Sequence, residues 1–127
     1  MWWICLKCGR RFYALNPRQC SQCWTHNIYP EEELLDIEEA SLQKMKDTLL
    51  GAIPLYDIVV SVLASEGITL TPARKIALIS KIHGDIVPVV RQRIAQGMSF
   101  NEACDSIIKE IKQKREMIKK RTRISIE

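Results

Sequence analysis

Four cysteines stand in two pairs of equal spacing, Cys5-Leu6-Lys7-Cys8 and Cys20-Ser21-Gln22-Cys23, with eleven residues between the pairs. Two intervening residues let both sulfurs of a pair point at one centre while the amides of the turn point back toward the thiolates. Gly9, directly after the first pair, suits that tight turn because it adopts a positive φ that a side chain resists. Two such pairs supply four thiolates, a closed tetrahedral shell suited to one structural zinc ion. The head of the chain, about 29 residues, is too short to fold on a hydrophobic core alone. Metal binding of the order of 10–16 kcal/mol is enough to fold peptides of this kind.

The spacer predicts a short hairpin, with Arg11-Phe12-Tyr13-Ala14 as a strand and Asn16-Pro17 as a turn. With its Cys-x-x-Cys knuckles, this stretch resembles the zinc ribbon, over residues 2–29 only. The second knuckle lacks the Pro and Gly usual in rubredoxin-type iron sites, and its surroundings are basic, so a redox carrier is the least favoured reading. Disulfides need an oxidising compartment, of which the chain gives no sign. A catalytic zinc needs an open position, which four thiolates do not leave. His26, three residues past Cys23, is read as a surface or strand residue rather than a ligand.

Charge is segregated along the chain. Residues 1–29 carry Lys7, Arg10, Arg11 and Arg18 and no acid; residues 30–53 have a net charge of −5; residues 54–127 have +5, within which Lys109 to Arg123 alone carries +6. Three units are expected: a ribbon over 1–29, an acidic amphipathic connector over 30–50, and a helical domain over 51–127. Six of the eight aromatics, Trp2, Trp3, Phe12, Tyr13, Trp24 and Tyr29, belong to the ribbon. They are expected to make a mini-core around the metal, with some free to stack on bases.

The remainder reads as helix, giving a mostly α fold of about five helices behind the ribbon. Pro30 and Glu31-Glu32-Glu33 open the first, Leu35, Leu42 and Leu49 line it, and Gly51 ends it. A second runs from Pro54 to a stop at Gly67. Thr71-Pro72 caps a third over 72–83, closed by Gly84; Asp85 caps a fourth over 86–96, which tolerates Pro88 in its first turn and ends at Gly97. Ser99-Phe100-Asn101-Glu102 is a capping box for the last, extended and basic helix. Cys104 falls on its apolar face and is expected to be an inert buried thiol. His83 is expected to be a polar residue at a helix end.

The pair 72–83 and 86–96, joined at His83-Gly84-Asp85, has the outline of a helix-turn-helix that would present Arg91, Gln92, Arg93 and Gln96. Its small-residue spacing is poor, and two antiparallel helices of a bundle explain the same residues. Lys112, Arg115, Lys119 and Thr122 would share one face of the last helix, and with Lys120, Arg121 and Arg123 would track phosphates. A solvated helix end, whose bases suit the dipole, is the competing account. No catalytic set can be assembled, so an enzyme and a small-molecule substrate are not expected. No stretch reads as a signal or a membrane span, and a cytoplasmic protein is expected.

The leading expectation is therefore a non-catalytic zinc protein that binds nucleic acid or a nucleoprotein complex, with a role in transcription regulation. Its phosphate contacts would come from Arg10, Arg11 and Arg18 on the ribbon, from Arg91 and Arg93, and from Lys112 through Arg123 on the tail. The runner-up is a protein–protein adaptor whose ribbon docks a larger assembly, whose acidic helix and apolar face around Leu35, Leu42 and Leu49 make dimer or subunit contacts, and whose tail only solubilises.

Overall fold

The computed structural model describes residues 1–47 and 54–126, with side chains described through 120. The expected helix stop at Gly51, the core position of Leu49 and the side chains of Arg121 and Arg123 lie outside the described residues. Three short strands, β1 (Trp2–Cys5), β2 (Arg11–Tyr13) and β3 (Ile28–Pro30), form an antiparallel sheet in the order β2-β1-β3. Trp3 pairs with Phe12 across one edge of β1 and with Pro30 across the other. The hairpin strand falls where the spacer predicts it, one residue shorter.

Helix α1 (Glu31–Asp47) starts directly after β3, so no linker separates sheet from helix. Leu34, Leu35, Ile37, Leu42 and Met45 point inward, as the apolar spacing requires. Next comes α2 (Leu55–Ser65), which ends where expected: Gly67 has φ 69°, its amide bonds the Ala64 carbonyl and the Ile68 amide bonds that of Leu63. This is the paired 5→2 and 6→1 closure that a left-handed glycine makes possible.

The next two expected helices are one. Helix α3 runs unbroken from Pro72 to Ala95, and the described residues form four helices rather than five. Thr71 caps it as expected, its hydroxyl accepting the Arg74 amide at 3.3 Å, and Gly97 at φ 104° closes it. Gly84 does not stop it. Gly67 and Gly97 are followed by apolar Ile68 and Met98, whereas Gly84 is followed by Asp85, which pairs with Lys81 one turn back at 3.0 Å. Leu78, Ile79, Ile82, Ile86 and Val90 are all buried in one continuous phase across the glycine. Asp85 is thus no cap, His83 lies exposed in mid-helix, and the 72–83/86–96 helix-turn-helix does not exist. Pro88 sits inside α3, where its missing N–H leaves the Gly84 carbonyl without its usual helical donor.

Helix α4 (Phe100–Ile126) opens at Ser99, whose hydroxyl accepts the Glu102 amide at 3.2 Å. It lies against both α1 and α3. One apolar core joins all four helices, with Leu42, Val59, Leu78, Ile82, Ile86 and Cys104 almost fully buried, and it takes in Ile4, Leu6 and Tyr29 from the ribbon.

Candidate metal centre and its basic surroundings

The four cysteine sulfurs lie within 4.8 Å of one another, with Cys5 and Cys23 Sγ at 3.4 Å and Cys8 and Cys20 Sγ at 3.7 Å. Four sulfurs about 2.3 Å from a tetrahedral ion stand about 3.8 Å apart, so the cluster has the right size for one metal. It is the one such grouping of ligand side chains found among the described residues.

The two knuckles repeat one backbone turn. The Cys5 amide donates to the Arg10 carbonyl and the Gly9 amide to the Cys5 carbonyl, at 2.9 and 3.0 Å. The Cys20 amide donates to Thr25 and the Trp24 amide to Cys20, both at 2.9 Å. In the first knuckle the Cys8 amide points at Cys5 Sγ, 3.4 Å away. In the second, the amides of Cys23 and Gln22 hold the Cys20 thiol down at about 6, which favours the thiolate a metal requires. At Cys8 the Arg10 backbone pulls in the same direction, but desolvation and the crowding of Cys5, Cys20 and Cys23 push the thiol up to about 11. Four sulfurs cannot all ionise at this distance without a cation between them. The donor set therefore fits a metal ion, and Cys5 and Cys20 belong to a second, smaller core with Ile28, against which Trp3 and Phe12 pack, while Cys8 is exposed.

The turn repeat exposes an anomaly. Gly9 occupies the left-handed position of the first knuckle at φ 78°, and Trp24 occupies the same position of the second at φ 62°. A bulky side chain there costs about 1–2 kcal/mol of backbone strain. Trp24 gains little from packing in return, since it is 69% exposed. The other ribbon aromatics do pack: Tyr29 is buried, Trp2 meets Tyr13 edge-on at 5.6 Å, and the Trp3 indole donates to the Ala14 carbonyl at 3.1 Å.

The candidate phosphate-binding side chains separate into two groups. Arg11 is engaged by Glu31 at 2.5 Å and lies over the Trp2 ring. Arg93 is drawn onto α4 by Ser106 and Glu110. Arg115 bridges Asp36 and Glu39 of α1, and Lys112 stands 3.7 Å from Glu39. The stripe expected on α4 is thus partly turned onto the acidic face of α1. Arg10, Arg18, Arg91, Lys119 and Lys120 are exposed. Arg10 donates to Ser21 of the second knuckle at 2.6 Å, and the Arg18 carbonyl lies 3.0 Å from His26 Nδ1. Arg74 of α3 reaches the His26 carbonyl at 3.1 Å. Sequence reasoning missed Arg74, because nothing near it in the chain marks it as a neighbour of the ribbon. His26 faces backbone, not the metal cluster. Cys104 is buried in the core as expected.

Protein-family models, curated proteins and solved structures give no match to this chain. No described helix is long and apolar enough to cross a membrane.

Proposed function

We propose that the four thiolates hold one structural zinc ion, and that the ribbon is a non-catalytic module which binds nucleic acid, presenting Trp24 for stacking amid Arg10, Arg18 and Arg74. The carrying observation is Trp24, a large aromatic that is both strained and exposed in a turn where its twin position is glycine. Strain that packing does not explain points to use elsewhere. Base stacking on an exposed aromatic is worth about 1–3 kcal/mol and tolerates any sequence, while nearby guanidinium groups take the phosphates. In support, Arg10 bonds Ser21 of the same knuckle, and both the Arg18 carbonyl and the Arg74 guanidinium meet His26, two residues past Trp24. Engagement of Lys112 and Arg115 by α1 argues that the ribbon, more than the tail, makes the contact. It also weakens the adaptor alternative, since Asp36 and Glu39 already have partners within the chain.

Metal analysis of the purified protein is expected to give a colourless sample with about one zinc per chain, as one closed site requires; a red sample would mean iron. For binding, the metal-loaded chain is titrated with single-stranded oligonucleotides while indole fluorescence is followed. Quenching is expected, with affinity that falls steeply with salt. Replacing Arg10 or Arg18 by Ala should each reduce the salt slope by about one phosphate. Absence of binding to DNA and RNA at low salt would refute this reading and leave protein docking in its place.

A further inference from the structure

His26 is exposed, yet three separate parts of the chain hold it. Its ring Nδ1 lies 3.0 Å from the Arg18 carbonyl in the spacer. Its own carbonyl accepts the Ile28 amide at 2.9 Å and the Arg74 guanidinium of α3 at 3.1 Å, the latter from 48 positions away in the chain.

The first of these bonds fixes the chemistry of the ring. A carbonyl oxygen only accepts, so Nδ1 carries the hydrogen and donates it. In the uncharged imidazole the other nitrogen, Nε2, is then an acceptor. The cations of this surface, Lys7, Arg10, Arg18 and Arg74, are donors only and suit phosphate oxygens. Nε2 needs the opposite, a donor on the ligand.

The order of these groups matches the order of parts in a nucleotide. Where Trp24 stacks a base and the guanidinium groups take phosphates, the sugar lies between them. His26 has the same position. It is two residues past Trp24, which keeps the two Cα atoms within about 7 Å, and it is bonded to Arg74, whose guanidinium has further N–H groups for a phosphate. A base edge is a poor partner for Nε2, because an indole that is 69% exposed stacks a base without enclosing it and leaves that edge unoriented. The sugar is fixed by base and phosphate together. Within a strand deoxyribose has no O–H to donate, whereas ribose has one, the 2′-hydroxyl.

We propose that the ribbon selects RNA over DNA, with His26 Nε2 accepting a hydrogen bond from the ribose 2′-hydroxyl of the nucleotide stacked on Trp24. This rests on the nucleic-acid reading of the same surface and adds to it the kind of strand. The selection is independent of base sequence, since every ribonucleotide carries the same hydroxyl.

The test is a fluorescence titration of the metal-loaded full chain with short oligouridylate strands of one length that differ only in the sugar: ribose, deoxyribose or 2′-fluoro. The 2′-fluoro sugar keeps the pucker of ribose and cannot donate. The ribose strand is expected to bind about fivefold more tightly than the deoxyribose strand, the worth of one neutral hydrogen bond, and the 2′-fluoro strand as weakly as the deoxyribose one. His26→Phe, which removes the acceptor, should bind ribose and deoxyribose strands alike; its circular dichroism melt shows whether it is folded, and the 2′-fluoro comparison needs no variant. Equal affinity for ribose and deoxyribose, a 2′-fluoro strand that binds like ribose, or a preference kept by folded His26→Phe would each overturn the proposal and leave nucleic-acid binding standing. Failure of every strand to bind would instead refute the nucleic-acid reading, and this proposal with it.

Discussion

Trp24 illustrates how one side chain can oppose the turn that carries it. The hydrogen bonds of its knuckle duplicate those around Gly9, yet its φ of 62° is a conformation that glycine adopts freely. Trp24→Gly should therefore stabilise the metal-loaded protein by about 1 kcal/mol, read as a higher melting temperature, while oligonucleotide affinity falls. A variant that is less stable would show that the indole packs more than its exposure suggests. Glu38 is the second informative residue. Burial, with Asp85 beside it, pushes its carboxyl up to about 9 from the ordinary 4.5, so the folded state keeps a proton that the unfolded state releases. Stability then falls as pH rises between those two values, by up to about 1.4 kcal/mol per unit. Glu38→Gln should flatten that dependence and melt above the parent at pH 8; parallel pH profiles would show that Glu38 is already ionised.

Among the elements, α3 gives the sharpest contrast between local signal and outcome. Four glycines look like helix stops in the chain, and of the three among the described residues two are. Gly67 and Gly97 take positive φ and are followed by apolar residues, so the chain gains by folding back. Gly84 carries no such reward, and the buried row from Leu78 to Val90 holds the helix together across it. A Cβ placed on Gly84 meets nothing within 4 Å. Gly84→Ala should hence stabilise the protein by about 0.5–1 kcal/mol in chemical denaturation. Destabilisation by more than that would indicate a turn at this point, and would revive the helix-turn-helix.

At the scale of the molecule, the ribbon and the helices share a core. Ile4, Leu6 and Tyr29 are buried with the helical residues, and β3 passes into α1 without a break. Chelating the metal, or Cys8→Ser, is expected to lower the melting temperature of the helical circular dichroism signal as well as to unfold the ribbon. An unchanged helical transition would mean that the two parts stand independently. The gathering of the four cysteines, the hairpin strand, the caps at Thr71 and Ser99 and the buried face of α1 could all be read from the chain. Each is set by residues within a few positions of one another, where spacing and local hydrogen bonding decide the outcome. The continuity of α3, the engagement of Arg115 by Asp36 and Glu39, the approach of Arg74 to His26 and the facing of Glu38 and Asp85 were not legible there. They depend on which helix lies against which, and that is fixed only when the apolar faces of four helices and a sheet are buried together.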